Sequence, residues 1–183
     1  MNRGNVYDAA MCNYPITKTR VQQKETLNPR DLTDISGLAE AGRIVAIDPG
    51  TKRIGVAVCD EHRIVSRPLP VIQRASWKKL LTQIKNTLAE FDAVALVVGL
   101  PYNFDGTESD MSREARDMAR KFALSLSVPV FLQDERATTY EARGRLWSAG
   151  LEGGAVRKQV DSEAASIILT DFLARLAHSG ESV

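Results

Sequence analysis

The pattern of apolar and polar positions changes character at Arg43. From there Ile44-Val45-Ala46-Ile47, rich in β-branched residues, predicts a buried strand. Asp48-Pro49-Gly50 ends it, and the alternation of Ile54, Val56 and Val58 predicts a hairpin partner turning back over 53–59. A third short strand is expected over 63–71. Leu80, Leu81, Ile84 and Leu88 fall on one face of a helix running from a Ser76 cap to Glu90. The unbroken apolar run Ala93–Gly99 is of the kind buried on both faces of a sheet. A second helix over 109–126 carries the stripe Ala115, Met118, Ala119, Phe122 and Leu126. Val128–Leu132 is the last expected strand, and Thr138 with Glu141 has capping-box spacing for a helix to Ala149. A glycine-containing linker, 150–159, then leads to a final helix over 161–177 with Ala164, Ala165, Ile168, Leu169, Phe172 and Leu176 on its apolar face. Hairpin strands followed by strand–helix alternation predict an α/β domain, a mixed five-stranded sheet flanked by helices.

Residues 1–42 show neither period and are rich in Asn, Thr, Gln, Arg and Asp. They read as a mobile N-terminal extension with room for a short helix over 31–41. The folded domain is expected over 43–178, and 179–183 as a C-terminal tail.

Composition narrows the classes. With 183 residues the chain suits one well-buried domain. No apolar run approaches the roughly 20 residues that span a bilayer, and the N-terminus lacks the apolar core of a secretory signal. Cys12 and Cys59 have no metal-binding spacing and read as free thiols, while His62 and His178 read as surface residues. A formal net charge of +1 makes no global case for nucleic acid, so such a case rests on local patches.

In sheets of this kind, sites gather at the carboxyl ends of the strands. Asp48 ends the first strand, the Gly99-Leu100-Pro101 loop ends the fourth, and Asp134-Glu135 follows the fifth. Asp48, Glu135 and Asp161 are therefore the candidate ligands of Mg²⁺ or Mn²⁺, hard cations that take oxygen donors. Two such ions about 3.5–4 Å apart activate a water and stabilise the leaving oxygen in phosphodiester hydrolysis. Each acid also has a structural reading. Asp48 fits an Asx-turn, Glu135 a solvated charge run with Asp134 and Arg136, and Asp161 a helix N-cap. Lys52 and Arg53 are placed to meet a phosphate, as are Arg136 and, before Asp161, Arg157 and Lys158 in a segment expected to be pliable. Asn103 reads first as a turn former and second as a substrate contact. Arg113, Arg116 and Arg120 share a helix face, either solvated or contacting phosphate.

Four blocks carry a resemblance. They are Ile47-Asp48-Pro49-Gly50-Thr51-Lys52-Arg53-Ile54-Gly55-Val56-Ala57, Val97–Glu108, Asp134-Glu135-Arg136-Ala137-Thr138-Thr139, and Val160–Leu169. In order and spacing they resemble the YqgF/RuvX family, and Arg67-Pro68-Leu69-Pro70 also fits. The resemblance implies an RNase H-like fold and a nuclease of the bacterial cytoplasm, described both as a Holliday-junction resolvase and as maturing the 5′ end of pre-16S rRNA. The partners it implies are pre-rRNA, with ribosomal precursor particles, or branched DNA, for a monomer or homodimer and with no membrane. By residue match, Asp48, Glu135 and Asp161 take the family's acidic positions. The chain departs from the pattern in its N-terminal extension and in Ala137, where leucine is usual. Two other readings of the strand–Asp–hairpin opening are an actin-like ATPase and a non-catalytic nucleic-acid-binding factor. The first needs a second lobe, for which the chain is short.

Overall fold

The computed structural model describes residues 32–35, 38–103, 106–135 and 154–180, the side chains of 154–161, 179 and 180 excepted. Strands β1 (Ile44–Asp48), β2 (Arg53–Cys59) and β3 (Ser66–Gln73) form an antiparallel meander. A crossover through α1 (Trp77–Glu90) places β4 (Ala95–Leu100) parallel to β1, and α2 (Asp110–Ser125) leads to β5 (Val130–Asp134), parallel to β4. The helix α3 (Gly154–Gly180) closes the described chain. The resulting order, β3-β2-β1-β4-β5, is that of the RNase H-like fold.

Strand alternation sorts the core into two layers. Val45, Ile47, Val56, Leu96 and Val98 meet Leu80, Ile84 and Leu88 of α1 and Met118, Ala119 and Phe122 of α2. On the opposite face Ile44, Ala46, Ala57, Val97 and Phe131 meet Ala165, Ile168, Leu169 and Phe172 of α3. All six residues of β4 are buried, as its unbroken apolar run requires. The Ser76 side chain makes no capping bond, whereas Ser109 and Ser112 cap α2 reciprocally.

Two sequence expectations change. The 150–159 linker gives way to helix from Gly154, because no glycine or proline interrupts Ala155 to Ser179 and the turn spacing allows the helix to extend backwards. The segment before Arg43 forms turns and bends at 32–35 and 38–42 instead of a helix, and these residues lie on the domain. Leu32 is buried against the α1–α2 layer, and its carbonyl accepts from Leu132 N–H of the edge strand β5 (2.8 Å). Ile35 and Leu38 pack on the α3 layer. An edge strand presents unpaired amides, and a chain segment laid beside it satisfies them. The expected helix over 138–149 and the end of the tail, 181–183, lie outside the described residues.

Candidate active site

Asp48 is half-buried at the end of β1 and shares strand parity with Ile44 and Ala46, so it belongs to the α3 side of the sheet. The following turn is closed through the main chain, Gly50 N–H donating to the Asp48 carbonyl (2.9 Å). Gly50 is required there, because a Cβ would run into the Arg53 carbonyl. Pro49 is buried and Lys52 exposed, so the turn carries its ammonium into solvent beside the strand end. Arg53 opens β2 and pairs with Gln73.

Glu135 follows β5 directly, with its N–H donating to Leu100 O (3.3 Å), and is only 8% exposed. That burial removes it from the solvated charge run the sequence allowed. Its parity is that of Phe131 and Gln133, again on the α3 side. The carboxylate folds over β4. A Cβ added to Gly99 would strike Glu135 Oε1, and would lie 2.6 Å from Ile168 Cδ1 of α3. Val98 pairs with Ile47, which sets Gly99 beside Asp48 in the parallel register. With strands about 4.8 Å apart, the Glu135 carboxylate over β4 is within roughly one strand spacing of the end of β1. The missing side chain at Gly99 thus makes a cradle that the Glu135 carboxylate fills, on the strand beside Asp48.

Asp161 stands seven residues inside α3, about two turns from Gly154. The N-cap reading is therefore excluded. Its position precedes Ala164, Ala165 and Ile168 by three, four and seven residues, the register of the buried stripe. The side chain itself is outside the described residues, as are those of Arg157 and Lys158, whose backbone is helical; Arg136 is outside altogether. Among the described residues no three His, Cys, Asp or Glu groups gather to hold a metal. Two of the three expected acids are described there.

The other candidates sort by their contacts. Asn103 builds a turn: its N–H donates to Thr107 O (3.0 Å), its carbonyl accepts from Gly106, and Nδ2 donates to Thr107 Oγ1 (3.0 Å). Gly106, at φ 80°, supplies the left-handed step. Arg116 bonds Glu108 (2.6 Å) and the Tyr102 hydroxyl (2.7 Å), Arg113 pairs with Asp110, and Arg120 with Asp117 (3.8 Å). The arginine stripe is thus matched by carboxylates, and Arg116 alone of the three ties down the loop after β4 among the contacts described. Cys59 is a buried thiol that accepts from Ile44 N–H (3.2 Å), and burial pushes its pKa up. His62 is an exposed turn residue beside Asp60. Sequence reading did not single out Gly99 as a cradle, although a glycine ending an apolar strand signals close approach. Arg74, beside the β1–β2 turn, gave no signal.

The sequence model of the RuvX family, described as Holliday junction resolvase, matches residues 42–175. The chain belongs to the RuvX family. Its relatives in that family include an Anaeromyxobacter sp. (strain Fw109-5) protein, 40% identical over 131 residues, which cover 72% of this chain and 96% of the relative. One from Novosphingobium aromaticivorans is 37% identical over 142 residues, covering 78% and 91%. Both are named as candidate pre-16S rRNA nucleases. Among solved structures, T. thermophilus RuvC in complex with Holliday junction substrate aligns with a TM-score of 0.48 and 20% identity, over 74% of this chain and 96% of that one. The RuvX match takes in every described element from β1 to most of α3, and with them Asp48, Glu135 and Asp161.

Proposed function

We propose that this RuvX-family chain is a cytoplasmic, divalent-metal-dependent nuclease that hydrolyses phosphodiester bonds at the 5′ end of pre-16S rRNA, within ribosomal precursor particles. The observation that carries the reading is the buried Glu135 carboxylate lying over Gly99, the β4 residue beside Asp48 in the parallel register. Burying a carboxylate is costly unless a cation or donors meet it. Oxygen donors of this kind suit Mg²⁺ or Mn²⁺, with Asp48, Glu135 and Asp161 holding the ions. Two ions so held would lower the pKa of a bound water and stabilise the charge on the leaving oxygen.

The chain's own residues supply the rest. Asp48, at the mouth of the β1–β2 turn, orients the site toward solvent. Lys52, exposed in the same turn, meets the phosphate backbone, with Arg53, Arg136, Arg157 and Lys158 as further contacts and Asn103 shaping the loop beside them. Water attacks phosphorus, the bond from phosphorus to the leaving ribose oxygen breaks, and a proton is returned to that oxygen. The relatives' names favour pre-rRNA. The family description favours a second reading, cleavage of branched DNA. Two symmetric cuts would then require a homodimer, whereas a monomer suffices for an RNA end.

The test incubates the purified chain with labelled pre-16S rRNA 5′ ends and with a four-way DNA junction, each with and without Mg²⁺ or Mn²⁺, beside an ATP-hydrolysis assay. Metal-dependent cleavage of the RNA, lost by orders of magnitude in Asp48→Asn with folding intact, is the expected outcome. Cleavage by Asp48→Asn at the wild-type rate sinks the metal assignment. ATP hydrolysis without cleavage sinks the nuclease reading.

A further inference from the structure

Arg74 directly follows β3, where the register Arg53–Gln73 brings it beside the turn joining β1 to β2. Its N–H donates to Lys52 O (3.0 Å) and its Nη1 to Gly50 O (3.1 Å). The Nη2 end is ion-paired with Glu114 of α2, the two side chains being 23% and 49% exposed. Gly50 N–H in turn donates to the Asp48 carbonyl. A connected path of hydrogen bonds therefore runs from α2, through one guanidinium, across the 49–52 turn to the backbone of Asp48.

An exposed ion pair of this sort adds little to stability. The rigid fork of arginine does something else, holding two acceptors at fixed separation and angle, which a lysine ammonium does not. Here the acceptors are a helix carboxylate and a turn carbonyl. We propose that Arg74 is a positioning residue for phosphodiester hydrolysis: it locks the 49–52 turn so that Asp48 and Lys52 meet cation and phosphate in one geometry, with Glu114 steadying the guanidinium. The inference rests on the assignment of Asp48 proposed above. Misplacement of a reacting geometry by about 1 Å can cost on the order of 100-fold in rate.

The full-length chain is compared with Arg74→Ala, Arg74→Lys, Glu114→Gln and Asp48→Asn. Three quantities are read: amide exchange of the peptide spanning 49–52, Mn²⁺ binding by calorimetry without nucleic acid, and kcat and KM for RNA cleavage. Arg74→Ala should speed exchange in the turn, weaken Mn²⁺ binding about threefold or more, and lower kcat roughly 10- to 100-fold at nearly constant KM. Arg74→Lys should regain only part of kcat, and Glu114→Gln should shift all three readouts in the same direction by less. Faster exchange with kcat and Mn²⁺ binding unchanged overturns the proposal. So does a rise in KM alone with a shallower salt dependence, which makes Arg74 a phosphate contact. Asp48→Asn separates the two readings. If it abolishes cleavage while Arg74→Ala does not alter it, the Arg74 proposal alone falls; if it leaves cleavage and Mn²⁺ binding intact, the site assignment itself falls.

Discussion

At the residue scale, Gly99 is defined by what a side chain there would displace. A methyl at this position enters the space of Glu135 Oε1 and Ile168 Cδ1, in a strand that is buried throughout. Gly99→Ala should therefore cost about 1–3 kcal/mol in urea unfolding through overpacking. It should also lower cleavage by more than that loss accounts for under conditions where the protein stays folded, because Glu135 must swing away. A variant with wild-type activity would show that the Glu135 carboxylate is not used where it lies. Asp161 gives a complementary test. Inside a helix Asp and Asn have similar propensities, so Asp161→Asn should keep its melting temperature and lose cleavage. Retained activity would release Asp161 from the site. Asp48 and the family blocks were legible in the sequence because a charged residue interrupting a β-branched run is a local signal. The cradle was not, because it depends on which residue of β5 lies across β4, a register no local pattern encodes.

At the scale of elements, the strands and α1 and α2 followed their patterns within a few residues, since the helices bury one stripe each and the central strands are apolar on both faces. The start of α3 did not. Paired glycines at 153 and 154 signal a break, but the helix begins at the second of them. Arg157 and Lys158 thereby move from a pliable loop to the first turns of a helix. If they contact phosphates, Arg157→Ala with Lys158→Ala should weaken binding to all sequences and reduce the log–log salt slope by about one to two. Alanine keeps the helix, so circular dichroism should be unchanged. An unaltered slope means that these cations face bulk solvent.

For the whole molecule, the boundary at Arg43 drawn from periodicity is too late. The chain before it contributes Leu32 to one core layer and Ile35 and Leu38 to the other, contacts too sparse to impose a period. A variant starting at Gly42 should be about 2–4 kcal/mol less stable to urea than one starting at Asp31, from one buried leucine and one hydrogen bond. Equal midpoints would show that the segment is dispensable. The placement of α3 has a different consequence, for synthesis. It comes after β5 in the chain, yet it alone among the described helices covers Ile44, Ala46, Ala57, Val97 and Phe131. While a ribosome makes the chain, at about 5–20 residues per second, the apolar positions that α3 covers must wait for it after the sheet's last strand is made. A nascent chain halted before Gly154 should bind a hydrophobic dye and a chaperone, and release both once α3 has emerged.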